Sequence, residues 1–360
     1  MVKEWGKIVA KMGVFIFRLI LLLVGSIVGI GFISGAEIYQ FFVKFEVCCV
    51  FGIILFFILI FLLVYKIFYK KFYNQKHPKT YKILTCQNDV KMQKNNKKHH
   101  KNTILIKNQI EKFLIIASTV ALSGAMFSGL RNIIFELFEN NFFAVYVLSI
   151  LFIFYITLKG VLHLDKVNVV MLFLLLSFLL FLIFDTFDSK KILSANFGVF
   201  GFENITKSLS FSLVYVFMNI VPIEHIVNEF DLKFSRRQVL IYSFFVAFIL
   251  TLVLIVFALF LFANKNIQTY SMPLLVYFEK KGGVVLIFFI LTLLLGLFST
   301  MISCLIGIKR VFILQKFTVF SSTFCAVLLS VVLGLIDFSV YVKIIYPIIG
   351  VMNFIIYVFL

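Results

Sequence analysis

The sequence predicts an all-α integral membrane protein with about ten transmembrane helices. Of its 360 residues 62% are hydrophobic and the mean hydropathy is +1.09, well above the ~45–50% apolar usage of soluble domains. Apolar windows recur along the chain, each near the ~20 residues a helix needs to cross hydrocarbon, and short polar gaps separate them. These windows are continuous rather than alternating, which excludes the strands of an outer-membrane barrel.

Read in order, the spans fall at 13–45, 47–68, 112–135, 141–158, 165–186, 205–228, 238–263, 284–307, 316–336 and 340–360. The first starts behind Lys3, Lys7, Lys11 and Arg18, as a signal peptide would. It has no convincing A-x-A cleavage site and runs on to Phe45, so it is read as a span.

Within it lies Gly25-Ser26-Ile27-Val28-Gly29-Ile30-Gly31-Phe32-Ile33-Ser34-Gly35-Ala36-Glu37. Glycines at 25, 29, 31 and 35 weaken a helix, and Ser34-Gly35-Ala36-Glu37 has the S-x-x-E spacing of a capping box that would open a new one. The reading is two half-helices with a break over about 29–33, at membrane depth. N–H groups of Gly29, Ile30, Gly31, Phe32 and Ser34 would then hold an anionic group of a solute, and freed carbonyls a cation. The alternative is a close-packing face of the GxxxG kind. Glu37 is an intramembrane carboxylate, read either as the capping partner of Ser34 or as a coupling or gating group.

Charge placement sets the expected orientation. The net charge of +18 comes from Lys and Arg concentrated in alternate gaps, which places both termini in the cytoplasm by the positive-inside rule and removes nucleic acid as an expected partner. The stretch 69–112 is rich in Lys, Asn, Gln and His and reads as a basic, flexible cytoplasmic loop. On the opposite side 264–283 carries Met272-Pro273-Leu274-Leu275-Val276-Tyr277-Phe278, too short to span and suited to a partly inserted gate.

Three later spans carry polar groups at depth. Ser123-Gly124-Ala125 is small enough to leave room for a solute. In 205–228, Pro222 removes a backbone donor and predicts a second interruption, with Asn219 beside it as a binding residue or an interhelical hydrogen-bonding group, and with Glu224 and His225 toward the cytoplasmic end, Glu224 read as a coupling or gating group or the pair as interfacial groups. In 284–307, Gly296, Ser299 and Thr300 put a carbonyl and two hydroxyls on one helix face, a hard-oxygen set suited to Na⁺. Cysteines 48, 49, 86, 304 and 325 have neither C-x-x-C spacing nor His partners, so neither a disulfide framework nor a zinc site is expected.

The run Gly25 to Ile38 with Gln40-Phe41-Phe42 resembles the opening of the bacterial YkvI-type membrane proteins, and Tyr215 to Asn219, Met272 to Leu275, Ser299 to Ile308 and Tyr346-Pro347-Ile348-Ile349-Gly350 add to the likeness. That family is similar to the amino acid–polyamine–organocation transporters of the leucine-transporter fold. The resemblance implies one transporter domain over 1–360, with five-helix inverted repeats over 13–186 and 205–360 and with helices 1 and 6 broken. It implies a sodium site at the Gly25 and Val28 carbonyls with Gly296, Ser299 and Thr300, and a bacterial inner-membrane location. The long Lys-rich loop departs from the compact family form.

The expected function is secondary transport of a small amino-acid-like solute by alternating access, coupled to a cation, with Na⁺ as the first candidate, a proton carried at Glu37 or Glu224 as the next, and no other cofactor. No nucleotide loop or catalytic constellation is present, so an enzyme is not expected. The alternative is a non-transporting sensor or assembly component acting through its basic loop.

Overall fold

The computed structural model describes the backbone of residues 19–76, 98–159, 164–188, 200–229 and 235–359. The start of the first span and the Lys-rich centre of the 69–112 stretch lie outside these residues.

The chain is an all-α, multi-pass membrane protein, without strands among the described residues. It opens with α1 over 19–27, α2 (Ile30–Ile33) and α3 (Ala36–Phe41), then a 3-10 turn, Val43–Cys48. There follow α4 (Cys49–Lys76), α5 (Lys98–Leu137), α6 (Phe142–Lys159), α7 (Leu164–Asp188), α8 (Phe202–Glu229) and α9 (Arg236–Ala263). The rest is α10 (Pro273–Lys281), α11 (Gly283–Leu314), α12 (Val319–Leu333), the short α13 (Phe338–Val340), a π turn at Tyr341–Ile345 and α14 (Tyr346–Phe359).

Seven of the described segments are both long and apolar enough to cross a membrane, and the apolar helices at 169–185 and 319–333 are shorter. Apolar stretches of this length form helices in hydrocarbon because only there are all backbone groups satisfied within the segment.

Two of the expected features need correction. The 69–112 stretch is not one long loop, because α4 continues to Lys76 and α5 already begins at Lys98. Helical hydrogen bonding simply outlasts the apolar window that marks a span. The break expected at Pro222 is also absent, and α8 is continuous from Phe202 to Glu229. Pro222 withholds the N–H that would reach the Met218 carbonyl. One residue earlier the Phe217 carbonyl accepts the Asn353 side-chain amide of α14 at 3.0 Å.

Packing sorts the helices into two groups. In one, α4, α8, α9 and α14 lie together, and in the other α5 packs with α11 and α12, with α6 and α7 beside them. The broken first span joins the two: α2 packs on α5 and α11, whereas α3 packs on α8, α9 and the π turn.

Candidate functional site

The site starts at residues 28 and 29, where the first span loses its helical ladder. The Val28 N–H still reaches the Val24 carbonyl at 3.0 Å, but the Gly29 N–H turns to Ile27, at 2.8 Å. The next helical bonds run from Ile33 to Gly29 and from Ser34 to Ile30. The Gly25 and Val28 carbonyls are therefore released from backbone pairing, and the N–H groups of Ile30, Gly31 and Phe32 open α2 without backbone acceptors among the described residues. All of these residues are buried, so the freed groups face protein rather than lipid.

Opposite the break stands α11. A methyl group on Gly296 would lie 2.7 Å from the Val28 oxygen, and only a glycine lets the two backbones approach so closely. The Thr300 hydroxyl donates to the Gly25 carbonyl at 3.3 Å, and a methyl on Gly29 would come within 3.0 Å of the same hydroxyl oxygen. Ser299 is fully buried, and its hydroxyl has no hydrogen-bond partner among the described residues. Of the expected oxygen set at Gly25, Val28, Gly296, Ser299 and Thr300, Thr300 meets the Gly25 carbonyl and Gly296 lies against the Val28 carbonyl across α1 and α11, and Ser299 is buried on the same helix beside Thr300.

The expected solute residues are only partly brought together. Gly29, Ile30, Gly31 and Phe32 line the break, and Ser34 ends α2. Ser123 is directed elsewhere: its hydroxyl lies 2.6 Å from that of Ser330 on α12. The α5 residues that meet the break are Met126, at Gly29, and Gly129, against Ile30. Asn219 donates its amide to the Tyr215 carbonyl one turn earlier, at 3.0 Å. Glu224 accepts from Tyr357 of α14, while His225 meets the Thr119 hydroxyl at 3.1 Å and stands over Gly307. Glu224 and His225 therefore belong to a contact between helices at the other end of α8, away from the break.

The Ser34/Glu37 capping box does not form. The N-cap of α3 is Gly35 at φ +81°, a left-handed conformation that glycine adopts without strain. Glu37 turns away from Ser34 and accepts the Tyr215 hydroxyl of α8 at 2.8 Å. Its carboxyl group folds back over Gly31, where an added methyl would stand 2.1 Å from Oε1. Sequence reasoning passed over Tyr215 and Tyr346, although a tyrosine in mid-membrane signals a polar partner nearby.

The junction between α2 and α3 is covered by α10. The Leu274 N–H donates to the Ser34 carbonyl at 3.0 Å, and the Leu274 side chain sits where a Gly35 side chain would be. Met272, Leu274, Leu275 and Phe278 are all buried beneath this cover. Its far end is tied to α7, where Asp185 accepts from both Tyr277 and Lys281.

No protein-family model matches this sequence, and no curated protein matches it.

Proposed function

We propose that this chain is a secondary transporter of a small amino-acid-like solute, coupled to a cation and working by alternating access. The observation that carries the reading is the buried break at residues 28 and 29. There, unpaired N–H groups and released carbonyls meet the Gly296, Ser299 and Thr300 face of α11. Non-helical backbone at membrane depth persists where it lines a binding site, with N–H groups suited to an anionic solute group and carbonyls to a cation.

In this reading the N–H groups of Ile30, Gly31 and Phe32 take the solute carboxylate, and the oxygen set takes Na⁺. Na⁺ then favours the arrangement in which α1 and α11 meet, and that differential affinity is what biases a conformational equilibrium. The two packed groups, each drawing helices from both halves of the chain and joined by α2 and α3, are the units that rock against each other in this reading. The buried α10 over Ser34 and Gly35 serves as the gate on its side. The proposed setting is the bacterial inner membrane, with both termini in the cytoplasm.

Thermal unfolding of the purified protein against a panel of amino acids, in Na⁺ and in K⁺, tests the reading. A ligand at 100 times its Kd stabilises by about 2.7 kcal/mol, which a melting curve resolves. The expected result is one chemical class of amino acid raising Tm, and more so in Na⁺. Unchanged melting across the whole panel in both ions would contradict it.

A further inference from the structure

Glu37 is 3% exposed and lies among aromatic side chains. Phe41 lies tilted and Phe42 edge-on against Tyr215, with ring centroids 5.0 and 5.5 Å away, and Phe56 stands 5.9 Å from the same ring. Tyr215 supplies one hydrogen bond, to Oε2, and no Lys, Arg or His pairs with the carboxyl among the described residues. The groups that face it from the packed elements are few. They are Tyr215 on α8 and Tyr346 at the start of α14, with Cys304 of α11 and Tyr341 of the π turn close to Tyr346. Helix α2 carries no ionisable side chain. Tyr346 is fully buried, near enough to Glu37 to interact with it electrostatically, and its hydroxyl has no partner among the described residues.

An ionised carboxylate held this way, with one neutral donor and no cation, costs far more than a neutral one, and buried acids usually resolve the conflict by taking up a proton. The location gives that proton a consequence. Gly31, on which the carboxyl rests, belongs to the opened N-terminus of α2, so the carboxyl lies beside the backbone groups that the interruption leaves unpaired.

We propose that Glu37 is a proton-binding site, protonated while α3 is packed on α8 and deprotonated when the break opens. On opening, the carboxyl O–H bond breaks, the proton passes to an entering water to give hydronium, and the carboxylate keeps the electron pair. Closing reverses the step. Protonation therefore favours the closed arrangement, so lower pH populates it and higher pH depletes it. The Tyr215 and Tyr346 hydroxyls are positioning groups, able to bond either form of the carboxyl. The inference deepens the transporter reading by adding a second coupled ion, on the other side of α2 from the Gly296, Ser299 and Thr300 oxygens.

Infrared difference spectroscopy on the purified full-length protein tests the site without any solute. Between neutral and strongly alkaline pH, the wild type is expected to lose a protonated-carboxyl C=O band that Glu37→Gln lacks and that Tyr215→Phe shifts in frequency. Glu37→Asp should restore a band, which a merely structural role would not require. A wild-type spectrum identical to that of Glu37→Gln in the carboxyl region at neutral pH, with both proteins folded, would overturn the proposal and mark Glu37 as permanently ionised. Proteoliposomes given a pH gradient, with lumenal pH followed by a trapped dye and a mixture of the proteinogenic amino acids added, supply the second arm. Solute-dependent proton entry in wild type, lost in Glu37→Gln while solute counterflow at equal pH persists, supports coupling. Loss of counterflow as well, with the band present, would overturn proton coupling and mark the carboxyl as a direct ligand of the solute. A band that behaves as expected without any solute flux would leave the proton site standing and contradict the transporter reading alone.

Discussion

Gly296 and Val28 touch backbone to backbone: a methyl added to Gly296 would stand 2.7 Å from the Val28 oxygen and 2.3 Å from Ile33 Cδ1. The Ile33 methyl can rotate aside, but the carbonyl belongs to the break and cannot move without separating α1 from α11. Gly296→Ala should therefore destabilise the protein by about 1–3 kcal/mol, the usual cost of overpacking a filled interior. It should also remove any Na⁺ effect on melting. Thermal unfolding in Na⁺ and K⁺ checks both, and an unchanged Tm with an unchanged Na⁺ response would mean that α11 does not seat on the break.

Gly35 presents a separate demand. Its φ of +81° is strained for any side chain, and Leu274 occupies the position a side chain would take, at 2.4 Å. Gly35→Ala should cost about 1–3 kcal/mol through backbone strain and lift α10 from α3. Labelling of a cysteine introduced at Leu275, a buried position, should then speed up several-fold. Equal labelling rates in the two backgrounds would contradict the role of α10 as a cover.

The other end of α10 is held by a contact with a definite pH dependence. Burial alone would depress the Lys281 ammonium, but hydrogen bonds to Asp185 and Tyr277 outweigh it and hold the group above its ordinary range. The sign follows: the contact contributes fully below the ordinary lysine value of ~10.4 and is lost as pH rises through the higher folded value. Lys281 keeps 36% of its side chain in solvent and Asp185 17%, so the pair should be worth no more than about 1 kcal/mol. Asp185→Asn should raise labelling at the same Leu275→Cys position severalfold at neutral pH, and the gap from wild type should close only in strong alkali. Identical rates at neutral pH would show that α10 stays seated without this tie.

Asn353→Ala removes the amide that reaches the Phe217 carbonyl, in the turn where Pro222 already withholds a donor. Interhelical hydrogen bonds in membranes are worth about 0.6 kcal/mol on average, and up to ~1.7. The upper end is expected here, because Asn353 is fully buried and water cannot replace its amide. Equilibrium unfolding should show a loss of about 1.5 kcal/mol, and an unchanged unfolding free energy would show that the bond contributes nothing to stability.

Hydropathy made the spans legible, since membrane depth leaves helix as the only economical backbone. An interruption was legible because Gly25, Gly29, Gly31 and Gly35 fall together in one span, but its place was not: most of the expected 29–33 is the helix α2 (Ile30–Ile33), and the helical ladder is lost at 28–29 and again at 34–35. What escaped depended on partners distant in the chain. The S-x-x-E pattern at Ser34 suggested a cap, yet Glu37 bonds Tyr215, 178 positions away. At Ser235 the comparable S-x-x-Q does close a capping box with Gln238, at the polar edge where nothing competes for the side chains. Pro222 suggested a break, yet the helix runs through it from Phe202 to Glu229. Ser123 carries the right side chain for a solute site, but its helix face points to Ser330. Local sequence sets what a residue can do, and only the packing of helices decides which partner it meets.

The most direct test is uptake of radiolabelled amino acids into proteoliposomes under an imposed Na⁺ gradient, for the wild type and for Ser299→Ala/Thr300→Ala. The predicted result is saturable uptake of one chemical class by the wild type, driven by Na⁺, with the Na⁺ dependence weakened or lost in a double variant that remains folded. Folded wild-type protein that moves no amino acid under any gradient would contradict the transporter reading. Transport by the double variant with an unchanged Na⁺ response would contradict the ion site at the break.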